Sequence, residues 1–121
     1  MRIRLPPRFK PTHQTAGLPG FPAIDVFGGV GDLVEAGHSG VVTRLSGRKI
    51  SGTERPGSAY GFSVYTRTDA SIVRRYITHL ECVAVEVGDR VSPTSVLGRI
   101  AAPPAGSPAG SAHAHYGSTR P

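Results

Sequence analysis

Residues 61–87, GFSVYTRTDASIVRRYITHLECVAVEV, carry the pattern that decides the fold. Their β-branched and aromatic residues are typical of strands, and the polar TDAS (68–71) is typical of a turn between two strands. Val83, Val85 and Val87 alternate with smaller or polar neighbours, which predicts a strand whose three valines point inward together. The stretch therefore predicts consecutive short strands rather than a helix.

Similar β-type runs recur along the whole chain. They are AIDVF (23–27), GVVTRL (40–45), GFSVYTRT (61–68), SIVRRYITHL (71–80), CVAVEV (82–87), SVLGRI (95–100) and AHAHYG (112–117). Sixteen glycines and eleven prolines punctuate the sequence, and no segment keeps a helical period for three turns. We expect an all-β domain, built as an antiparallel sheet or a barrel-like sandwich.

A length of 121 residues suits one domain with a modest core. Residues 1–20 are expected to form an irregular N-terminal arm, and residues 21–121 the folded domain. Within the domain, AAPPAGSPAGS (101–111) is expected to be a flexible loop. The single cysteine, Cys82, excludes an internal disulfide and a cysteine-based zinc cluster.

The charge balance is basic, with 14 Lys and Arg against 8 Asp and Glu, for a net charge of +6. Such a charge suits a polyanionic neighbour, but no phosphate-binding loop, zinc-finger spacing or RNA-binding aromatic motif accompanies it. Nucleic-acid binding is thus an alternative that charge alone favours. The sequence shows no signal peptide and no apolar run of membrane-spanning length, which predicts no membrane insertion.

Histidine occurs five times, and three of the five lie at spacings that suit a metal site: His79, His113 and His115. His113 and His115 are two residues apart, so on a strand both rings project from one face and can share a metal site. A solvated polar strand is the alternative explanation of this pair. His79 lies in YITHLE (76–81), where a buried, hydrogen-bonded ring is the alternative. His38, in a turn, is expected to face solvent.

In order along the chain, several strings match one family pattern. They are FPAIDVFGGVGDLVEA (21–36), Gly40–Val42, YGFSVYT (60–66), YITHL (76–80), VEVGDRVSPTSVLGRI (85–100) and the closing His113-Ala-His115. The ordered set resembles the lysostaphin-type zinc metallopeptidases, which cut peptide cross-links in bacterial cell walls. The resemblance spans residues 21–117 and implies the lysostaphin-like (duplicated hybrid motif) fold.

The resemblance implies a zinc site with Asp25 and His115 as metal ligands. It places His79 and His113 beside the attacking water and the developing oxyanion. Zinc lowers the pKa of a bound water, and imidazole can relay a proton or donate to an oxyanion. A strand-end hydrogen-bond acceptor is the alternative role of Asp25.

One departure from the pattern concerns Phe21, which stands where the family carries its first histidine ligand. Phenylalanine offers no lone pair, whereas a catalytic zinc takes three protein ligands and an open position. His13, on the arm, can fold back to complete the set; the alternative is an exposed arm residue. Without it, we expect weak or absent zinc binding.

The sequence therefore predicts a domain that cuts or binds peptide cross-links of bacterial peptidoglycan. An active zinc endopeptidase and a non-catalytic cell-wall or protein-binding module of the same fold both remain open. The hairpin at residues 85–100 also resembles biotinyl and lipoyl carrier domains, but carrier function is disfavoured because neither Lys10 nor Lys49 lies at an exposed hairpin tip. The small size and missing signal peptide suit a phage-like lysin, cytoplasmic until released or virion-associated.

Overall fold

The computed structural model describes residues 1–15, 20–46, 61–70, 73–103 and 112–118, and all regular structure in these ranges is β. The strands are β1 (Arg2–Arg4), β2 (His13–Gln14), β3 (Pro22–Phe27), β4 (Leu33–Glu35), β5 (Gly40–Ser46), β6 (Phe62–Thr68), β7 (Arg74–Val83), β8 (Arg90–Val91), β9 (Val96–Ile100) and β10 (His113–Ser118). The predicted all-β class is confirmed. No helix in these ranges is long and apolar enough to cross a membrane.

The ten strands form one curled sheet organised around β7. One edge of β7 pairs with β6, which leads to β5 and β8. The other edge pairs with β10 through the first half of β7 and with β9 through the second half. β10 continues to β3 and β2, and β9 to β4 and β1. All pairs are antiparallel except β1 with β4, so the sheet is mixed rather than purely antiparallel as expected.

The concave face of the sheet encloses the hydrophobic core. Burial of aliphatic and aromatic side chains from seven strands and three connecting segments supplies the main driving force for folding. The largest fully buried hydrophobic side chains are Leu5, Val34, Val42, Val64, Ile77, Leu80, Leu97, Ile100 and Tyr116.

The strand predicted over CVAVEV is only partly right. β7 ends at Val83, which packs against the core, and Val85 is buried, but the side chain of Val87 is 61% exposed. The cause is a tight turn, in which the Asp89 amide donates to the carbonyl of Glu86. Val87 lies inside that turn and has no core-facing side, so the three valines do not point inward together.

The first fifteen residues are more ordered than the irregular arm expected from the sequence. β1 pairs with β4, β2 pairs with β3, and Leu5 is fully buried. Glu35 on β4 accepts hydrogen bonds from Arg2 (3.1 Å) and Arg4 (2.9 Å), and these contacts lower the pKa of its carboxyl. Most of the predicted loop 101–111 lies outside the described residues.

A second anchor of the arm is Arg75 on β7. Its guanidinium donates to the carbonyl oxygen of Pro7 (3.2 Å) and lies 5.4 Å from the ring centre of Phe9. The ring of Phe9 in turn packs against Tyr116 at a centroid distance of 5.1 Å. The segment that leads to His13 is therefore attached to the sheet.

His38 is buried, with 7% of its surface exposed, and the expectation of a solvent-facing ring is wrong. Its Nδ1 contacts the carbonyl oxygen of Ala36 (2.9 Å), and its Nε2 contacts the Thr66 hydroxyl (2.8 Å). Both ring nitrogens find partners inside the fold, which explains why a turn residue can be buried.

Burial lowers the pKa of His38 below its ordinary value of 6.5. Below pH 6.5 the unfolded chain therefore binds a proton that the folded protein excludes, so His38 costs stability as the pH falls. We expect His38→Gln to lose less thermal stability than wild type between pH 7.5 and 5.5. Thermal unfolding followed by circular dichroism measures this, and parallel losses in both proteins would contradict it.

Candidate metal centre

Strand register places three predicted site residues on one face of the sheet. His115 on β10 lies directly opposite Asp25 on β3 and Thr78 on β7. Directly opposite residues in antiparallel strands project to the same face, as do residues two apart in one strand. His113 therefore shares this face with His115 and Asp25.

The neighbouring row of paired residues extends to the arm. Gly117 lies opposite Ala23 on one side and Tyr76 on the other, and Ala23 lies opposite His13 on β2. Because Asp25 is two residues after Ala23 on β3, the side chains of His13 and Asp25 lie on the same face of the sheet. The arm's short second strand is what directs the His13 ring to this place.

His13, Asp25 and His115 bring their potential ligand atoms within 4.8 Å of one another. Asp25 Oδ1 lies 3.3 Å from His13 Nε2 and 3.3 Å from His115 Nδ1, and the two nitrogens are 3.2 Å apart. Phe21 does not join this cluster; its ring packs 5.7 Å from the ring centre of Tyr76. Three donors of the kind that zinc binds therefore converge without any contribution from Phe21.

The other two predicted histidines border the cluster. His113 Nε2 lies 3.6 Å from Asp25 Oδ1, and its side chain is 5% exposed. The His79 ring meets His113 edge-on at a centroid distance of 5.0 Å and lies 5.7 Å from His115. All five residues predicted for the site are thus brought together.

His79 reaches the site through a bulge in β7. Val64 pairs with Ile77 and Phe62 with Leu80, so Ser63 alone faces both Thr78 and His79. A bulge of this kind turns two consecutive residues to one face. His79 has φ +70°, the left-handed region that non-glycine residues rarely occupy. Regular alternation would have placed the ring of His79 on the core side.

Two residues that the sequence analysis missed hold the outer nitrogen of His115. Its Nε2 lies 2.7 Å from the Tyr76 hydroxyl and 2.9 Å from the Thr15 hydroxyl. With Nε2 protonated and donating, the Nδ1 lone pair faces Asp25 and His13, which is the tautomer a metal ligand needs. Thr15 directly follows β2 and lies two residues after His13, and this spacing is the local signal that could have pointed to Thr15.

The electrostatic environment favours a neutral His115. Burial lowers the pKa of the imidazole, and this effect outweighs the opposing hydrogen bond and attraction of the Asp25 carboxylate. Burial also raises the pKa of Tyr76, so its side chain stays an uncharged hydroxyl, whose oxygen can accept the Nε2–H of His115.

The absence of a side chain at Gly117 gives Tyr76 its place. A Cβ at Gly117 would lie 2.0 Å from Cε1 and 2.4 Å from Cζ of the Tyr76 ring. The ring therefore lies directly over the backbone of β10, and from there its hydroxyl reaches His115 on the same strand.

Gly117→Ala is expected to displace the Tyr76 ring and to lower the free energy of unfolding by about 1–3 kcal/mol, the usual cost of overpacking. The matched control is Gly29→Ala, where an added Cβ meets only ordinary contacts beyond 3.4 Å; its effect should stay within about 0.5 kcal/mol. Urea unfolding measures both. A Gly117→Ala cost that persists undiminished in a Tyr76→Ala background would contradict the steric explanation.

Comparison with known proteins yields a structural likeness alone. No family model and no curated protein matches the chain. The NMR solution structure of lysostaphin matches with a TM-score of 0.58 and 21% sequence identity, over 78% of this chain and 34% of that one. The chain thus corresponds to about a third of that structure's length. At this identity the likeness shows the fold: the chain has a lysostaphin-like fold.

Proposed function

We propose that this domain is a zinc metalloendopeptidase that cuts peptide cross-links in bacterial peptidoglycan. The observation that carries the proposal is the convergence of His13, Asp25 and His115 on one face of a lysostaphin-like sheet. Two further histidines, His79 and His113, border the same cluster. The resemblance of the ordered sequence strings supplies the substrate class.

The donor set fits a zinc ion by its chemistry. Two imidazole nitrogens and one carboxylate oxygen form a common ligand set for catalytic zinc, which keeps a fourth position for water or substrate. The side chains of His13 and Asp25 are 36% and 31% exposed, so the cluster opens to solvent on one side. His115 is held through its outer nitrogen, as metal-ligating histidines generally are.

His13 takes the part that the resemblance gives to position 21. Phe21, directly before β3, is in alternation with Ala23 and Asp25 on β3, and His13 lies opposite Ala23 in the middle of this series. Because Ala23 has a short side chain, the His13 ring can approach Asp25 across it. The same three donors can therefore assemble with the first histidine on β2 instead of directly before β3.

The residues around the donors suit hydrolysis of a peptide bond. When bound, zinc polarises a carbonyl and lowers the pKa of a water toward about 7. His79 and His113 lie beside the donors, where one imidazole can accept a proton from the nucleophile and the other can donate to the carbonyl oxygen. Tyr76 and Thr15 act through His115 by fixing its tautomer.

Zinc binding is the first test. Wild type should bind one zinc ion, and His13→Ala should lower the affinity by more than about a hundredfold, because loss of an outer-shell partner alone costs up to about that much. Adding Phe21→His to His13→Ala should restore binding by returning a third ligand to the face. Isothermal titration measures all three proteins.

The control for these titrations is His38→Gln, which removes a histidine outside the cluster and should leave zinc affinity unchanged. Equally tight binding by wild type and His13→Ala would mean that another residue completes the site. No binding by wild type, with a gain in Phe21→His alone, would assign the domain to the binding-module alternative.

Hydrolysis is the second test. His79→Ala and His113→Ala should keep one bound zinc but lower kcat by about 10²–10⁴, the usual contribution of a proton-transfer group. Release of new amino groups from purified peptidoglycan measures the rate. If zinc-loaded wild type sediments with peptidoglycan yet releases no amino groups, the domain is a binding module and the catalytic proposal is wrong.

A further inference from the structure

A groove lies on the sheet between Phe21 and β5, and Tyr76 separates it from the candidate metal centre. It has a volume of about 470 Å³, which is within the range typical of ligand sites. Three aromatic and three arginine side chains line it: Phe21, Tyr65, Tyr76, Arg44, Arg74 and Arg75.

The groove and the metal centre share Tyr76 as a wall. The Tyr76 hydroxyl contacts His115, while its ring stacks on Tyr65 at a centroid distance of 5.8 Å and packs against Phe21 at 5.7 Å. A chain lying on these rings would therefore extend directly to the His13, Asp25 and His115 donors. Phe21, which is absent from the donor cluster, serves here as part of the groove wall.

The electrostatic character of the groove is positive. Arginines are present and carboxylates are absent among its described lining residues. Arg75 is committed to Pro7 and Ser118, so its role is structural. Arg44 is exposed, and its guanidinium lies 5.1 Å from the ring centre of Tyr65. A guanidinium held in this way can pair with a carboxylate through two parallel hydrogen bonds.

We propose that this groove binds a carboxylate-bearing segment of a peptide, with the carboxylate on Arg44 and the adjoining methyl or methylene groups on the aromatic rings. The proposal names the substrate chemistry of the proposed endopeptidase and rests on it only for the cleavage, not for the binding. A peptide fits better than a nucleic acid because the groove is short and offers its anion one exposed guanidinium held on an aromatic ring, that of Arg44, whereas phosphate recognition uses several contacts spread along a backbone.

The test compares two probes, acetyl-Ala-Glu-Ala-Ala-amide and its Gln counterpart, by isothermal titration into the full chain with EDTA and with zinc. The Glu peptide should bind at least about tenfold more tightly, because hydrogen bonds to a charged group are worth that much or more. Arg44→Gln should abolish the preference. Arg99→Gln makes the same charge change outside the groove and should keep it.

Three results would overturn the proposal: equal affinity for both peptides, a preference that survives in Arg44→Gln, or tighter Arg44-dependent binding of a twelve-nucleotide thymidine oligomer. If Arg44→Gln is misfolded by circular dichroism, Arg44→Lys replaces it and should reduce the preference. A Glu preference in EDTA without any zinc binding would support the groove and refute the metalloenzyme. Zinc-dependent hydrolysis without a Glu preference would support the metalloenzyme and refute the groove proposal.

Discussion

Two-sided pairing of β10 is the constraint on which the candidate site depends. All six of its residues are buried, and it bonds to β3 on one edge and to β7 on the other. Ala114 and Tyr116 are fully buried in the core, so His113, His115 and Gly117 must face the opposite side. A slip of one residue would exchange the two sets. The core packing of Tyr116 therefore sets the register that brings His115 opposite Asp25.

A second constraint comes from β7, where the core and the site make competing demands. Ile77 and Leu80 are both fully buried, although residues three apart in a regular strand face opposite sides. The bulge reconciles them and moves His79 to the site face at φ +70°. Such a backbone costs about 1–3 kcal/mol, whereas burying each aliphatic side chain gains about 1.5–3 kcal/mol. Gly61 (φ +90°) permits the close approach, since a Cβ there would lie 2.8 Å from the Leu80 backbone.

Features set by residues close together in the sequence could be predicted, whereas features set by contacts between distant parts of the chain could not. Local alternation predicts most of the strands and the shared face of His113 and His115, because side-chain direction in a strand has a period of two. The predicted inward orientation of Val87 is wrong because a turn hydrogen bond ends the alternation. The predicted exposure of His38 is wrong because its partner Thr66 comes from a distant strand. The contacts of Tyr76 and Thr15 with His115 were not predicted for the same reason, because the sheet register alone brings these residues together.

The donor set shows that position on a sheet face matters more than position in the chain. Phe21 directly precedes β3 and His13 lies on β2, yet each lies near Ala23 on the face that carries Asp25. Moving the histidine from position 21 to β2 keeps the donor chemistry but changes what holds it. β2 has only two residues, so His13 depends on the anchors before it: the Arg75 contacts with Pro7 and Phe9, and the buried Leu5. Core packing of the arm and assembly of the candidate centre are therefore one coupled event.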